Sequence, residues 1–369
     1  MDDNFKSAVE LKEEENKIQT QINELKNKLL KQKKTRAPIV VTGQDIIRQI
    51  AKITNIPIAD LTFDEKTNWH LLEDELKKHI IGQNLAIEKI SQSIKRSRLQ
   101  LSDPNRPLAS FLFVGESGVG KTELAKILAK TIYPEQDAFI RLDMSEYSEG
   151  FGVSKLLGSP AGYVGYKESN QFTDKVKINP HCVILFDEID KAHKDVTKLL
   201  LQILENGEIT DATGKKISLK HAIIILTTVI GAEEARKAGI GFHKNNTSQE
   251  DKTQLLKEKL KEFFSSELIN RLDNICLFNN LQKEDLVKIA QLEITRLNER
   301  LNNYQTKVMA EDKIINWLIE QLPAKNNNAR YVRSQIRQQI ENLIAEVILK
   351  EKVKNIYQLK IVEEKLMMR

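Results

Sequence analysis

"GESGVGKT", Gly115 to Thr122, decides the fold. Before it stands "LASFLFV", residues 108–114, an apolar run of strand length. After it the chain reads "KTELAKILAKTI", residues 121–132, with apolar residues at helical spacing. A Gly-x-x-x-x-Gly-Lys-Thr run between a strand and a helix is the P-loop pattern. Its glycines let backbone N–H groups turn inward and cradle phosphates at a helix N-terminus. Gly115, Glu116, Ser117, Gly118, Val119, Gly120, Lys121 and Thr122 are therefore the expected phosphate cradle. Lys121 is placed to reach the β- and γ-phosphates, and the Thr122 hydroxyl to ligate Mg2+. The cofactors predicted are ATP and Mg2+.

Working outward, "AFIRLDM", "CVILFDE" and "HAIIILTT" repeat the apolar strand pattern, and helical segments such as "KDVTKLLLQILENG" alternate with them. Alternation of this kind predicts an α/β fold, a parallel sheet flanked by helices. "CVILFDEID" ends its strand on two adjacent carboxylates, Asp187 and Glu188. Ligands of open α/β sheets bind at that end of the strands. Asp187 is expected to hold Mg2+ through water, and Glu188 to polarise an attacking water. After Leu281 the pattern becomes helical, and "IYQLKIVEE" reads as a lone terminal strand. The expected organisation is a helical arm (1–36), linker helices (37–75), a large α/β ATPase domain (76–280) and a smaller, mainly helical C-terminal domain (281–369). Within the arm, Ile18, Ile22, Leu25 and Leu29 form a narrow seam, and Thr42 is placed to cap the next helix.

Composition narrows the class. The chain has 369 residues and a formal charge of +5, with 40% hydrophobic and 30% charged residues. That fits a helix-rich globular protein and gives no argument for nucleic acid. Cys182 and Cys276 lack metal-ligand spacing and read as reduced thiols. No apolar run reaches the roughly 18 residues that span a bilayer, so no membrane partner is expected. The opening "MDDNFKSAVE" is acidic and polar, unlike a signal peptide. With the abundance of Lys, Asn and Ile, these features lead to the expectation of a bacterial cytoplasm or a plastid stroma.

Two loops are unusual. "SPAGYVGYKES" sets Tyr163 and Tyr166 among small residues, where no helical or strand period runs. "ARKAGIGFHKNNTSQEDK" carries an apolar tip, Ile240, Gly241 and Phe242, in strongly polar surroundings. An aromatic on a mobile loop can contact any extended chain through area and stacking. An apolar tip on a hydrophilic loop suggests docking into a pocket.

From about Phe5 onward the chain resembles the Clp family of AAA+ protein unfoldases, and within it the second ATPase module of ClpC-type proteins. The resemblance is carried by "HIIGQNLAIEKISQSIKRSRLQLSDPNRPLASFLFVGESGVGKTELAK", "LDMSEYSE", "LLGSPAGYVGY", "VILFDEIDKAH", "LLQILENGEITDATGK" and "INRLDN". It implies an ATPase that unfolds protein. Lys121 and Thr122 fall on the Walker A pair, and Asp187 and Glu188 on the Walker B pair. Arg271 falls on the arginine finger that reaches the neighbouring subunit's nucleotide, which implies a homo-hexamer or a mixed ring. Arg330 falls on the sensor-2 arginine. Ile80 and Ile81 fall where the family packs apolar residues against adenine. Tyr163 falls on the pore-loop aromatic that grips unfolded or tagged protein substrates. Ile240, Gly241 and Phe242 resemble the tripeptide by which ClpC-like unfoldases dock a ClpP-type peptidase.

The departures bear on activity. Val229 stands where the family has the sensor-1 asparagine, leaving Thr227 or Thr228 as the partial stand-in. Ser265 replaces a usual arginine, and Asn328 and Tyr331 replace glycine and proline. A weakly hydrolysing regulatory ring subunit and a disaggregase without a peptidase partner are thus the alternatives. A nucleic-acid motor competes from a different class, and the modest charge and the Ile-Gly-Phe tip argue against it. With one P-loop present, the chain is expected to be a fragment or a naturally reduced protein.

Overall fold

The structure is a computed structural model that describes residues 2–34, 41–54, 69–133, 138–158, 171–234, 249–323, 328–350, 355–362 and 365–368. Residues 1–54 and 55–369 form two compact units. In the first, α1 (Asp2–Lys34) is one long helix and α2 (Gly43–Thr54) a second. Thr42 Oγ1 accepts the Asp45 N–H, and Asp45 Oδ2 accepts the Thr42 N–H at 3.0 Å. This reciprocal pair satisfies two donors that a helix start leaves unpaired. Ile18, Ile22 and Leu25 of the α1 seam are exposed.

The second unit opens with α3 (Leu72–His79) and α4 (Asn84–Arg98). Then follow β1 (Ala109–Val114), α5 (Lys121–Ile132), β2 (Phe139–Asp143), α6 (Gly152–Leu157) and α7 (Gln171–Ile178). Next come β3 (Val183–Asp187), α8 (Lys194–Asn206), a hairpin of β4 (Glu208–Thr210) and β5 (Lys216–Ser218), and β6 (Ile223–Thr228). α9 (Gln249–Phe263), α10 (Ser266–Arg271) and β7 (Asn274–Leu277) complete this part.

The expected parallel sheet is present, with five strands in the order β2-β3-β6-β1-β7. Every residue of β1, β3 and β6 is buried, as strands covered on both faces must be. β2 and β7 are the edges, and each buries only two residues, Ile140 and Leu142 in β2 and Ile275 and Cys276 in β7. The C-terminal ends of β1, β3 and β6 therefore sit side by side, and they carry the P-loop, Asp187–Glu188 and Thr227–Val229. β7, four residues long, was too short to announce itself by period.

Helices α11 (Lys283–Leu301), α12 (Asp312–Glu320), α13 (Ala329–Ile336) and α14 (Asn342–Leu349) follow, with β8 (Lys307–Met309) between the first two. A π-turn at Arg337–Glu341 joins α13 to α14. The strand expected to stand alone does not. Its core is β9 (Ile356–Val362), which pairs parallel with β8 and antiparallel with β10 (Lys365–Met368). The partners hold three and four residues, below the length at which alternation is visible.

Two apolar cores divide this unit. One runs from Leu72 to Phe278 and the other from Leu281 to Leu366. Asn279 and Asn280 lie between them in sequence. No helix among the described residues is long and apolar enough to cross a membrane.

Candidate active site

A cleft of about 730 Å3 opens where the two cores meet. Ile80, Ile81, Leu281 and Ile289 line its apolar part. Ser117 to Thr122, Asp187, Glu188 and Arg330 line its polar part. Residues expected to act on one nucleotide, though up to 250 positions apart in the chain, thus share one cavity.

The P-loop is built for close approach. Gly120 sits at φ 108°, a conformation that L side chains rarely adopt, and the space where its side chain would project is empty. Lys121 begins α5, and its Nζ donates back to the carbonyls of Gly115 and Glu116, the latter at 2.9 Å. Burial pushes the ammonium's pKa down to about 8, against the opposing pull of Asp187, Asp190 and Glu188. A largely buried cation resting on neutral carbonyls is placed to receive an anion.

The acidic pair is held from several sides. Asp187 is buried at the end of β3. It accepts from Thr227 Oγ1 at 2.6 Å, from Thr122 Oγ1 at 3.3 Å, and from Arg141 Nε and Nη2 at 2.9 and 2.8 Å. The next residue, Glu188, adopts φ 58° and ψ 52°. A non-glycine residue in this region costs on the order of 1–3 kcal/mol, a strain commonly held at functional sites. Its N–H donates to Thr227 Oγ1 at 2.8 Å, so one hydroxyl fixes both acidic residues. The Glu188 carboxylate is half-exposed and pairs with Lys191.

Val229 lines the cleft and presents no polar atom. The two threonines beside it are otherwise engaged. Thr227 Oγ1 donates to Asp187, and Thr228 Oγ1 donates to Asp190 at 2.6 Å. Each hydroxyl has one proton, so neither can donate to a water while these bonds stand.

The helical core contributes Arg330, Arg333 and Arg337, all from α13 or the turn after it. Asn328 caps α13 by accepting the N–H groups of Arg330 and Tyr331. Its side chain lies against Gly118, where an added Cβ would come within 2.7 Å of Asn328 Cγ. The Ala329 N–H donates to the Gly118 carbonyl at 3.1 Å. Ser265 is likewise a helix cap, accepting the Leu268 N–H at 3.2 Å. Two departures from the family pattern therefore have local structural reasons.

Among the described residues, three expected site residues do not line the cleft: Gly115 and Glu116, whose carbonyls hold Lys121 beside it, and Arg271. Arg271 ends α10, and its guanidinium pairs with Glu205 of α8 at 2.9 Å. Tyr163 and the Ile240-Gly241-Phe242 tip lie outside the described residues. Both cysteines are buried thiols with pKa pushed up to about 12 by burial, which leaves them unreactive.

Sequence reasoning missed Arg141, Gln83, Glu123, Arg296 and Arg333. Gln83 is 1% exposed, donates to the carbonyls of Val119 and Asn279, and accepts the Asn279 N–H at 2.9 Å. It ties the P-loop to the stretch between the two cores. Arg141 stands on a strand whose neighbours Ile140 and Leu142 point inward, so alternation alone reads it as a solvated side chain.

The sheet order, the P-loop before α5, the acidic pair after β3 and the helical domain beside the cleft define an AAA+ P-loop module. Comparison with known families agrees. The family described as AAA domain (Cdc48 subfamily) matches residues 106–275, and the C-terminal, D2-small domain of ClpB protein matches 281–361. The Torsin family matches residues 58–142. The chain belongs to the Clp family of AAA+ proteins. A probable ATP-dependent Clp protease ATP-binding subunit of Chlamydia pneumoniae is 41% identical over 350 residues, 94% of this chain and 41% of that one. The ATP-dependent Clp protease ATP-binding subunit ClpE of Lactococcus lactis is 44% identical over 311 residues, 83% of this chain and 40% of that one. A chaperone protein ClpB of Prochlorococcus marinus is 40% identical over 328 residues, 88% and 38% of the two chains. Among solved structures, a closed-state cryoEM reconstruction of Hsp104:ATPyS and FITC casein matches with a TM-score of 0.76 and 34% identity, covering 89% of this chain and 56% of that one. The chain spans about two fifths of the length of these curated relatives. Their names mix protease subunits with ClpB chaperones, so they do not single out the ClpC type.

Proposed function

We propose that this chain is an ATP-driven module of a protein unfoldase, with ATP and Mg2+ bound in the cleft between its two cores. The observation that carries the reading is the meeting of Lys121, Thr122, Asp187, Glu188 and Arg330 around one cavity. The residues present fit the cofactors. Gly120 leaves the cradle open, and the Thr122 hydroxyl and Asp187 carboxylate are hard oxygen donors of the kind Mg2+ takes. Bound Mg2+ would neutralise charge on the β- and γ-phosphate oxygens.

Lys121 supplies a cation to the phosphates, and Ile80 and Ile81 an apolar wall for the base. Glu188 is the acceptor for the attacking water's proton, which requires its carboxylate to leave Lys191. Arg330 faces the same cleft as sensor 2, and Arg271 serves the neighbouring subunit's site, consistent with its place outside its own. The assembly proposed is a hexameric ring that threads unfolded or tagged polypeptide past Tyr163. Ile240, Gly241 and Phe242 would dock a ClpP-type peptidase. The compartment would be a bacterial cytoplasm or a plastid stroma, without nucleic-acid or membrane partners.

Two other readings have their own support. The ClpB and Hsp104 resemblances favour a disaggregase that works without a peptidase. Val229, with both neighbouring hydroxyls engaged, favours a regulatory ring subunit that binds ATP and hydrolyses it slowly. Steady-state ATP turnover of this chain beside its Glu188→Gln variant tests the first proposal. Turnover that equals that of the variant would leave the regulatory reading in its place. A pull-down of assembled Phe242→Ala rings with peptidase separates the other two. Undiminished binding would remove the docking role, and the disaggregase reading would move ahead.

A further inference from the structure

Glu123 follows Thr122 directly, on the first turn of α5. Its Oε1 pairs with Arg296 Nη1 of α11 at 2.9 Å and with Arg333 Nη2 of α13 at 3.1 Å. The same two arginines reach Glu293 Oε1, each at 2.9 Å. Two carboxylates and two guanidiniums close a ring of four charges. Three of its members ride on the helical core, and Glu123 alone rides on the α/β core.

These are not loose surface pairs. The side chains of Glu123 and Glu293 are only 22% and 15% exposed. Burial pushes the Glu123 carboxyl pKa up, yet Arg333 and Arg296 outweigh burial and hold it below its ordinary value. Sheltered, charge-assisted bonds of this kind are stronger than exposed pairs and fix orientation through the planar guanidinium fork. Arg333 uses two of its nitrogens, Nε and Nη2, which a lysine cannot imitate.

Arg333 lies three residues beyond Arg330, so the two are neighbours on one helix face. On the other side of Arg330, the Ala329 N–H and the Asn328 side chain rest on Gly118. The first turn of α13 is thus held to the P-loop and its helix at two points, with Arg330 between them. We propose that Glu123 is the positioning residue for Arg330: gripped by Arg333 and Arg296, it sets α13 against the P-loop helix and so aims Arg330 into the phosphate end of the cleft. The inference rests on the reading of that cleft as an ATP site. It makes the residue after the Walker A threonine one of the points at which the two cores register with each other.

The test uses the full chain and four variants: Glu123→Gln, Arg333→Lys, Arg330→Ala and the double variant Glu123→Gln/Arg330→Ala. Calorimetry gives affinities for ADP and for an ATP analogue with a non-cleavable γ-phosphate. Glu123→Gln and Arg333→Lys should weaken the analogue about tenfold while changing ADP no more than about threefold. The double variant should lose no more than Arg330→Ala alone, because both changes remove the same contact. Equal losses for ADP and analogue, or losses that multiply in the double variant, would overturn the inference. Hydrogen exchange without nucleotide separates this outcome from a failure of the ATP reading. Glu123→Gln should speed exchange at the Val332 and Arg333 amides, and unchanged exchange there would overturn the clasp. A chain that binds neither nucleotide would overturn the ATP reading, and the aim assigned to Arg330 with it.

Discussion

The two walls of the cleft are built differently. On the α/β wall, Asp187 is locked by Thr122, Thr227 and Arg141, groups that three strands or their helix deliver within one core. On the helical wall, Arg330 rides on an eight-residue helix, α13, anchored to the other core through Glu123 and Gly118. The acids are fixed by the sheet, and Arg330 by contacts between cores. The first arrangement suits groups that must hold metal and water in one geometry. The second suits groups whose reach is to change with what the cleft holds.

The strongest way to break this contrast is to remove chemistry from the α/β wall without disturbing its packing. Glu188→Gln keeps the shape and the strained backbone but removes the proton acceptor. Turnover should fall by about 10²–10⁴, the usual range for losing a general base, with ATP affinity little changed. Loss of affinity in parallel would show that Glu188 binds rather than activates. Coupled-assay turnover and calorimetry on the same samples decide between them.

Val229 offers the converse, a gain. The cleft-facing end of β6 presents two hydroxyls already engaged and one side chain without a polar atom. Val229→Asn adds a donor at a half-exposed position, so it buries nothing new. A positioned donor is worth roughly a hundredfold or more in rate, so turnover should rise by up to that factor. No change would mean that Thr227 leaves Asp187 during turnover and does the work itself.

Legibility from sequence follows the same division. The P-loop and the Asp187–Glu188 pair were readable because their signal is local: a strand, a few fixed residues, a helix. Arg141, Glu123 and Gln83 carry no local signal. Arg141 is one outward residue of an edge strand, Glu123 one charge on a helix with many, and Gln83 one amide before a helix. Each acquires meaning only from a partner 36 to 210 positions away. Short strands failed for another reason. β7, β8 and β10 have four, three and four residues, and sheet pairing rather than period defines them. The caps at Asn328 and Ser265 looked like defects against the family pattern, yet each satisfies a helix start.

Gln83 provides a smaller test, at the seam between the walls. Its buried amide donates to the carbonyls of Val119 and Asn279 and accepts the Asn279 N–H. Gln83→Ala leaves the Asn279 N–H and two carbonyls without these partners. Unmet buried groups of this kind cost about 1–3 kcal/mol, which should appear as a lower denaturation midpoint with unchanged slope. If the midpoint holds while nucleotide affinity falls, the amide serves the P-loop rather than the seam.

The smallest expected effect concerns Arg141, a half-exposed member of the α/β wall. Its guanidinium grips Asp187 at 2.8 and 2.9 Å and also approaches Asp143 at 3.9 Å. A carboxylate assigned to Mg2+ thus already has a cation beside it. While that pair stands, the metal must share Asp187 with the guanidinium or displace it. Because Arg141 is 50% exposed, the pair contributes about 0.2–1 kcal/mol, as solvent-screened pairs do. Arg141→Ala should therefore lower the Mg2+ concentration that half-saturates ATP binding by about two- to fivefold. A titration of Mg2+ at fixed ATP reads this directly. The opposite shift, a higher requirement for Mg2+, would mean that Arg141 holds Asp187 in its working position instead of competing for it. The α/β wall would then depend on a surface side chain, and its difference from the helical wall would be one of degree.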